Sequence, residues 1–403
     1  MWEIIRLNKR KSFLLFIAMG IILLLLGYFV GATFLGEDGG PFGVFIALII
    51  WSVLSIISYF SGHKILLSIS GAKEVTPDVH PQLFNVVEEM TIAANLPKMP
   101  KIYIINEEAP NAFATGRNPE NSAVAVTAGM LAQMNRDELQ GVIAHEISHI
   151  VNRDVLFMTF AGIMLGSIVI ISEIFLKGMW FGGSSLNRYR DRSSGGGGGQ
   201  IIIMVVSLIL AILAPILAQL LYFAISRKRE YLADANGARL TRYPEGLASA
   251  LEKLSQNSYE LRSANKATAG MYIVNPLKEK GRKLSDLTST HPPISERIRI
   301  LRNMAGAGFN DYQKAYAKVK NKNETVIPPS ELKKETYIPI LSEIEKATSH
   351  GKKEQQRKLG DIVMKTNGYS FLTCDCGLKL KAPADFNGKE VSCPRCGKRL
   401  KFE

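Results

Sequence analysis

The chain alternates between long apolar stretches and polar stretches of very different lengths. Crossing a bilayer as a helix takes about 20 predominantly apolar residues. Stretches of this kind cover Phe13–Leu35, Phe42–Phe60, Val155–Leu176 and Ile201–Ile225. Basic residues precede the first stretch, as in a signal peptide, but its apolar core is longer than is typical of one and a second stretch follows almost at once. The pattern therefore predicts an α-helical membrane protein with four hydrophobic helices.

The polar stretches predict a mainly α-helical region with a small sheet. Lys101–Asn106 and Ser122–Leu131 are rich in β-branched residues, which favours strands. Apolar residues recur at helical spacing from Asn135 to Ile150, and acidic residues stand in the first turn of that helix. Residues 231–303 are also mostly helical in pattern. Residues 305–368 are polar, rich in lysine and weakly patterned, which predicts a helical or loose connector.

The net charge of +13 is compatible with two kinds of protein. Beside a bilayer, lysine and arginine accumulate near anionic lipid and in cytoplasmic loops. Nucleic-acid binding is the other candidate, but the central region has no stripe of basic residues with interleaved aromatic residues. We therefore expect the lipid bilayer, and no nucleic acid, as a partner.

The positions of the charges predict the orientation of the chain. Lys9–Lys11 precede the first span, while the turn before the second span carries Glu37 and Asp38 and no basic residue. By the positive-inside rule, both termini and residues 61–154 of this multi-pass protein lie on the cytoplasmic side of the cell (inner) membrane. The loop between the third and fourth spans does not follow the rule, because Lys177 and three arginines lie on its predicted outer side. Either the rule is violated there or these two helices do not fully cross.

Two histidines and a glutamate just before the third span form a metal-ligand pattern. His145 and His149 are four residues apart, so a helix presents both rings on one face. Glu146 is offset by one position and can reach a water on such a metal without binding the metal itself. This H-E-x-x-H pattern is typical of zinc proteases, in which zinc makes its water acidic and the carboxylate removes the proton. The pattern is short, and an ordinary helix with two partly exposed histidines is the alternative.

A third ligand has to come from another helix. The stretch Ser226–Ala238 offers Glu230 and, four residues later, Asp234 on the same helical face. Glu230 is the candidate third zinc ligand, and Asp234 would then accept a hydrogen bond from the free ring nitrogen of a zinc-bound histidine. The alternative is a surface helix with solvated charges. If His149 and Glu230 share one metal, the ends of the spans that carry them lie on the same side of the membrane.

Four motifs in order resemble the HtpX-type membrane metalloproteases and, more distantly, the CaaX-type prenyl endopeptidases. They read NAFATGRNPENSAVAVTAGML (Asn111–Leu131), HEISHIVNRDV, SRKREYLADANGA and STHPPISERI (Ser289–Ile298), and the resemblance covers residues 1–303. It implies a zincin protease domain of the gluzincin type that faces the cytoplasm. It also implies a role in the quality control of membrane proteins.

The same resemblance assigns roles to individual residues. It implies three zinc ligands and a general base, which are His145, His149, Glu230 and Glu146. His291 and Arg297 are implied to lie close to the cleft, where a proton donor or a cation stabilises the oxyanion formed during hydrolysis. The alternative for this region is a loop that ends at two prolines and a helix in which Arg297 pairs with an acid.

Asn111–Gly116 is similar to the edge strand of the family's active-site cleft. An extended substrate would add to such a strand by backbone pairing. The implied substrate-binding residues are Asn111, Ala112, Phe113 and Ala114. Asn111 is the side chain best placed to contact the scissile region, and an ordinary turn asparagine is the alternative.

The end of the chain departs from the family, whose members typically end soon after the HPPISERI motif. Four cysteines stand there in two close pairs, each followed by glycine, which is typical of a zinc ribbon with one structural zinc. They are Cys374, Cys376, Cys393 and Cys396. A redox role for the second pair is the alternative, and the sequence leaves open whether the ribbon binds a substrate, a regulator or nucleic acid.

Together these patterns predict an integral membrane zinc endopeptidase that cleaves misfolded or specific membrane proteins. The alternatives are a non-enzymatic membrane metal sensor or scaffold and a CaaX-type prenyl-peptide protease, although the latter needs a large intramembrane chamber. The expected cofactors are a catalytic zinc and a structural zinc. The predicted parts are two transmembrane spans (1–62), a mainly α zincin domain with a small sheet (63–303) interrupted by two hydrophobic helices (155–176 and 201–225), a polar connector (304–368) and a β zinc ribbon (369–403).

Overall fold

The structure of the protein is a computed structural model. It describes residues 2–36, 38–181, 197–256, 272–274, 291–321, 324–333, 337–340, 352–386 and 390–401. Glu37 and the three arginines of the loop between the third and fourth spans lie outside the described residues.

The described residues form helices and short strands, which we number along the chain. The helices are α1 (Trp2–Leu35), α2 (Gly39–Ile69), α3 (Pro81–Ala93), α4 (Ala128–Gln133), α5 (Arg136–Val151), α6 (Val155–Phe181), α7 (Gly197–Thr241), α8 (Pro244–Gln256), α9 (Ile294–Arg302), α10 (Phe309–Lys320), α11 (Pro329–Leu332) and α12 (Lys352–Thr366). The strands are β1 (Ala72–Glu74), β2 (Lys101–Ile105), β3 (Ala112–Asn118), β4 (Asn121–Thr127), β5 (Ser370–Thr373), β6 (Lys379–Ala382), β7 (Glu390–Ser392) and β8 (Arg399–Lys401).

The predicted hydrophobic helices are α1, α2, α6 and α7. Their segments that are long and apolar enough to cross a membrane are Ile5–Leu35, Gly39–Ile69, Val155–Met179 and Ile201–Leu221. These helices pack on one another as a bundle, and α7 continues past its apolar segment without a break. The four predicted hydrophobic helices are confirmed, and the part of the chain that the sequence predicts to be a zincin domain is called the protease region below.

Glycines set the separation of α1 and α2. A Cβ atom at Gly43 would lie 2.0 Å from the carbonyl oxygen of Gly27, and one at Gly31 would lie 2.1 Å from that of Gly39. Small residues at a contact allow two membrane helices to approach closely. The first two hydrophobic helices therefore form a tight hairpin that larger side chains would push apart.

A four-stranded sheet organises the protease region. Its strand order is β1-β2-β4-β3, in which β2 and β4 are parallel and the other neighbouring pairs are antiparallel. Side chains alternate between the two faces of a strand. Val124 of β4 packs in one core with Ile143 of α5, whereas Ala125 packs in a second core with Phe157 of α6. The sheet therefore has the H-E-x-x-H helix on one face and α6 on the other, and β3 forms one of its two edges.

Part of the stretch after residue 303, which the sequence predicts to be a helical or loose connector, is a helix that packs into a core. α10 buries Phe309, Tyr312, Ala315 and Tyr316 in the core that also holds α5. Their spacing follows one face of a helix. The stripe is inconspicuous in the sequence because lysines and other polar residues fill the rest of the helix and two of its members are tyrosines.

The C-terminal part consists of α12 and two antiparallel hairpins, β5–β6 and β7–β8. α12 packs on α4 and buries Ile362 in the core of the protease region. The carboxylate of Asp361 on α12 lies 2.9 Å from Nζ of Lys379 and 2.6 Å from Nζ of Lys381, both on β6. The first hairpin is thus attached to the protease region through α12, while the domain boundaries drawn from the sequence stay predictions.

Candidate active site

α5 carries both histidines of the H-E-x-x-H pattern. The helix begins after Asn135, whose side chain forms a capping box with Glu138, and this arrangement satisfies two N–H groups at the helix start. The Nε2 atoms of His145 and His149 lie 3.2 Å apart, and both rings are buried. The four-residue spacing therefore brings two ring nitrogens to one point.

Glu230 of α7 approaches the same point. Its carboxylate oxygens lie 3.5 Å from Nε2 of His145 and 3.4 Å from Nε2 of His149. A tetrahedral zinc ion with bonds of about 2.0–2.1 Å has ligand atoms about 3.3–3.4 Å apart. The donor set and its spacing therefore fit a zinc ion.

A carboxylate lies behind each histidine ring. Asp234, one turn after Glu230 on α7, has an oxygen 3.0 Å from Nδ1 of His145. Asp154 has an oxygen 3.4 Å from Nδ1 of His149. A carboxylate in this position keeps the proton on Nδ1 and leaves Nε2 free for a metal. The sequence predicts Asp234 in this role, whereas Asp154 is not among the predicted residues.

Asp154 is held by segments that are far apart in the chain. Arg153, with a φ of 61°, turns the chain after α5 so that the backbone N–H of Asp154 donates to the carbonyl oxygen of His149 at 2.9 Å. Nδ2 of Asn8 donates to the Asp154 carboxylate at 3.0 Å, and Nη1 of Arg229 lies 3.5 Å from it. In the sequence, the role of Asp154 is indicated only weakly, by its position just beyond the end of α5. Its partners on α1 and α7 are distant in the chain and give no sequence signal of that role.

Glu146 lies between the two histidines in the sequence, and its side chain is buried. Neither of its carboxylate oxygens has a hydrogen-bond partner among the described residues. Burial raises the pKa of its carboxyl group. A buried carboxylate without a partner is costly, so its retention beside two candidate ligands suits a group that exchanges a proton with water.

His291 and Arg297 both lie beside the three candidate ligands. Nε2 of His291 is 3.6 Å from an oxygen of Glu230, and burial lowers the pKa of His291 to about 4. The buried guanidinium of Arg297 donates to the carboxylate of Asp234 at 2.8 and 2.7 Å, and its Nη1 lies 3.5 Å from Glu230. Arg297 therefore pairs with an acid and also adjoins the site, so the two sequence interpretations are not exclusive.

The predicted substrate-binding residues lie on or beside β3. Ala112, Phe113 and Ala114 are buried members of β3, which packs against α5. Asn111 directly precedes the strand, and its Nδ2 donates to the carbonyl oxygen of Val274 at 3.0 Å. Asn111 thus binds a main-chain atom of another segment, and its Oδ1 also accepts a hydrogen bond from the backbone N–H of Ala112 at 3.1 Å.

The four cysteines form a second compact group of possible metal ligands. Sγ of Cys374 lies 3.4 Å from Sγ of Cys396, and Sγ of Cys376 lies 3.6 Å from Sγ of Cys393. The glycine after each pair has a positive φ, which allows the chain to turn tightly there. Zinc with bonds to sulfur of about 2.3 Å has ligand atoms about 3.8 Å apart, so the group fits a closed tetrahedral site.

Comparison with known proteins gives the class of this one. Residues 77–305 match Peptidase family M48. The chain belongs to this family. It is 46% identical to the Protease HtpX homolog of Dictyoglomus thermophilum and 48% identical to that of Dictyoglomus turgidum, each over 303 residues that cover 75% of this chain and 94% of the relative. Among solved structures, the chain is similar to the crystal structure of S. mikatae Ste24p, with a TM-score of 0.37, 20% identity and coverage of 75% of this chain and 67% of that chain.

Membership of family M48 makes this protein a membrane zinc metalloprotease. The family's metalloproteases use zinc, and the four hydrophobic helices provide the membrane part. The predicted HtpX-type protease is therefore confirmed, and its substrates are proteins that it meets at the bilayer. The match to the family ends at residue 305, before α10 and the cysteine group.

Proposed function

We propose that His145, His149 and Glu230 bind the catalytic zinc of this M48 protease and that Glu146 is its general base. The observation that carries the proposal is the spacing of the ligand groups: the two Nε2 atoms lie 3.2 Å apart, and the two oxygens of Glu230 lie 3.4 Å from Nε2 of His149 and 3.5 Å from Nε2 of His145. That spacing is close to the edge of a tetrahedron around zinc. Zinc, when bound, supplies a Lewis acid and lowers the pKa of its water to about 7.

The remaining chemistry falls to side chains of the protein. Glu146 accepts a proton from the attacking water and later returns it to the leaving amine. Burial raises the pKa of Glu146, and a raised pKa makes the carboxyl group a better proton donor and acceptor near neutral pH. Asp234 and Asp154 orient the rings of His145 and His149.

His291 and Arg297 are assigned to the oxygen of the scissile carbonyl group. Negative charge develops on that oxygen during attack, and fixed N–H donors in a dry site stabilise it. Both side chains are buried beside Glu230. Two hydrogen bonds to Asp234 hold the Arg297 guanidinium in place, so no reorganisation is needed at the moment of reaction.

The proposed substrates are misfolded or specific membrane proteins that bind as extended segments. A strand at the edge of a sheet accepts such a segment through main-chain hydrogen bonds. Within the described part of the chain, β4 is the one strand that pairs with β3, and β3 lies at an end of the sheet order, which supports this use. The substrate-binding residues are then Asn111, Ala112, Phe113 and Ala114.

We place the active site and both termini on the cytoplasmic side. The support is the basic residues at Lys9–Lys11 and their absence from the turn before α2. A membrane-impermeant thiol reagent applied to intact cells should label a cysteine at Asp38 and should not label one at Lys101, with the chain without added cysteine as the control. Labelling at Lys101 but not at Asp38 would reverse the orientation.

The cysteine group is proposed to hold a structural zinc. Four thiolates complete the coordination of zinc and leave no position for a reaction. The ribbon then serves as a stable surface for a substrate or a regulator. A redox function of the second cysteine pair is the competing proposal, and it predicts reversible disulfide formation without bound zinc.

Glu146→Gln tests the catalytic proposal. We expect the zinc content to stay unchanged and the cleavage of casein or an unfolded membrane protein to be lost, because Glu146 acts on water and is not a ligand. Zinc is measured by mass spectrometry and cleavage by gel. Glu88→Gln, at an exposed position of α3, is the matched control, and full activity of Glu146→Gln would require another general base.

A further inference from the structure

A second segment of the chain lies along the free edge of β3. It is Tyr272–Val274, which we call the edge segment. The backbone N–H of Ile273 donates to the carbonyl oxygen of Ala112 at 3.0 Å. The side chain of Asn111 donates to the carbonyl oxygen of Val274 at 3.0 Å, and the backbone N–H of Val274 faces its Oδ1 at 3.4 Å. The bond from Ile273 to Ala112 is one main-chain hydrogen bond of the kind that an added strand would make, and the side chain of Asn111 binds the next residue of the segment.

The direction of the edge segment follows from its contacts. The rings of Tyr272 and Phe113 meet edge to face with centroids 5.1 Å apart. From Tyr272 onward, the successive partners of the edge segment are residues 113, 112 and 111, so the two stretches run antiparallel. Directly opposite residues on antiparallel strands point to the same face of the sheet. Tyr272 consequently enters the core on the membrane side of the sheet, where its hydroxyl lies 3.4 Å from Oγ of Ser70.

The edge segment also reaches the side chains assigned to catalysis. Nη1 of Arg297 donates to the carbonyl oxygen of Ile273 at 3.1 Å, and the same nitrogen lies 3.5 Å from Glu230. The Ile273 side chain packs in the core that contains α5. A peptide carbonyl group of the edge segment is therefore separated from a candidate zinc ligand by a single guanidinium group.

We infer that the edge segment occupies the place of a substrate segment, and that preferred substrates carry an aromatic residue followed by a β-branched aliphatic residue. This inference rests on the proposed function. The edge segment uses main-chain atoms for its hydrogen bonds to Ala112, Asn111 and Arg297, so a segment of a different sequence can make the same bonds. Side-chain pockets then decide which segments do so.

The two pockets define the substrate class. Tyr272 is fully buried against Phe113 and near Ser70, and Ile273 is buried on the opposite face. The first pocket therefore accepts an aromatic ring with a polar tip, and the second accepts an aliphatic side chain. Such pairs become accessible as extended chain when an apolar helix or strand unfolds, which matches a protease for misfolded membrane proteins.

The test is peptide binding to full-length, zinc-loaded protein in detergent, with Glu146→Gln as the background so that nothing is cleaved. The probe, called the YIV peptide, is a fluorescent peptide with the sequence Tyr-Ile-Val between glycines. A comparison peptide, called the alanine peptide, has alanine in place of the tyrosine. Tyr272→Ala removes the ring that competes with the probe, and the exposed Tyr337→Ala is the matched control. We expect the YIV peptide to bind about fivefold or more tightly to Tyr272→Ala than to the control. Binding of the YIV peptide should also exceed that of the alanine peptide by about tenfold.

Ile273→Pro provides a second variant, because it removes the N–H group that bonds to Ala112 and keeps Tyr272. Equal peptide affinity in the background, Tyr272→Ala and control proteins overturns the inference. Loss of cooperative thermal unfolding in both Tyr272→Ala and Ile273→Pro also overturns it, since the edge segment would then be a permanent part of the fold.

Failure of the proposed function gives a different result. Protein with Glu146 intact that binds zinc and cleaves nothing contradicts the catalytic assignments, whatever the peptides do. Active enzyme whose KM for the YIV peptide is the same in wild type and Tyr272→Ala contradicts the inference alone. Agreement with the inference requires KM to fall in Tyr272→Ala while kcat stays unchanged.

Discussion

Asp154→Asn should weaken zinc binding although Asp154 is not a candidate ligand. One oxygen of the buried carboxylate faces Nδ1 of His149, and the other receives Nδ2 of Asn8 and faces Arg229. Asparagine has the same shape but only one acceptor oxygen. Its NH₂ group must therefore face either the His149 ring or the donors on α1 and α7.

The size of the effect follows from these two orientations. If the NH₂ group faces His149, the ring is favoured with its proton on Nε2, which cannot then bind zinc. If it faces Asn8 and Arg229, buried donors lose their acceptor, which costs about 1–3 kcal/mol of stability. Loss of a partner behind a ligating histidine typically reduces metal affinity by about 10–100-fold. That range corresponds to about 1.4–2.7 kcal/mol of binding free energy.

The assay is competition for zinc between the stripped full-length protein and a fluorescent chelator of known affinity. Thermal unfolding with and without zinc reports the stability change on the same samples. Asp137→Asn makes the same chemical change in the first turn of α5, at the other end of that helix, and serves as the control. A zinc affinity for Asp154→Asn within twofold of the control would refute the role of Asp154.

Three further predictions follow from the same structure. Glu230→Ala should lower zinc affinity more than Asp234→Ala in the competition assay, and equal affinities would point to another third ligand. Cys393→Ser should remove about one zinc per chain, measured by mass spectrometry, while cleavage of an unfolded substrate continues. Loss of cleavage in a folded variant would show that the ribbon is part of the active enzyme. Phe309→Ala should lower the free energy of unfolding by about 3–5 kcal/mol, because the ring is buried in the protease core. Denaturation in detergent measures this change, and a value below about 1 kcal/mol would show that α10 is only loosely attached.

Features encoded by neighbouring residues could be predicted from the sequence. Hydropathy identifies the four hydrophobic helices because a bilayer imposes a minimum apolar length. The spacing of His145 and His149 predicts their convergence because helix geometry is periodic, and the same holds for Glu230 and Asp234. The resemblance to HtpX-type proteases then connects the two helices, which spacing alone does not do.

Features that depend on contacts between distant segments could not be predicted in this way. Asn8 and Arg229 look like polar residues at the ends of membrane helices, yet both are buried at Asp154 because α1 packs on α7. The contacts of the edge segment with Ala112, Asn111 and Arg297 join parts of the chain that are far apart, and no local pattern shows them. α10 was obscured by its lysines, since a narrow stripe of aromatic residues does not raise the average hydropathy of a polar helix.

The continuity of α7 from Gly197 to Thr241 links the chemistry of this protease to the mechanics of the bilayer. Glu230 lies about 22 Å along the helix axis from Pro215, the residue at which a bend is easiest. A change of about 5° in the tilt of the fourth span around Pro215 would displace the Glu230 carboxylate by about 2 Å. Metal–ligand distances tolerate only about 0.2 Å. Bilayer thickness influences the tilt of a span, so a bend at Pro215 would couple the thickness of the lipid to the position of the Glu230 carboxylate.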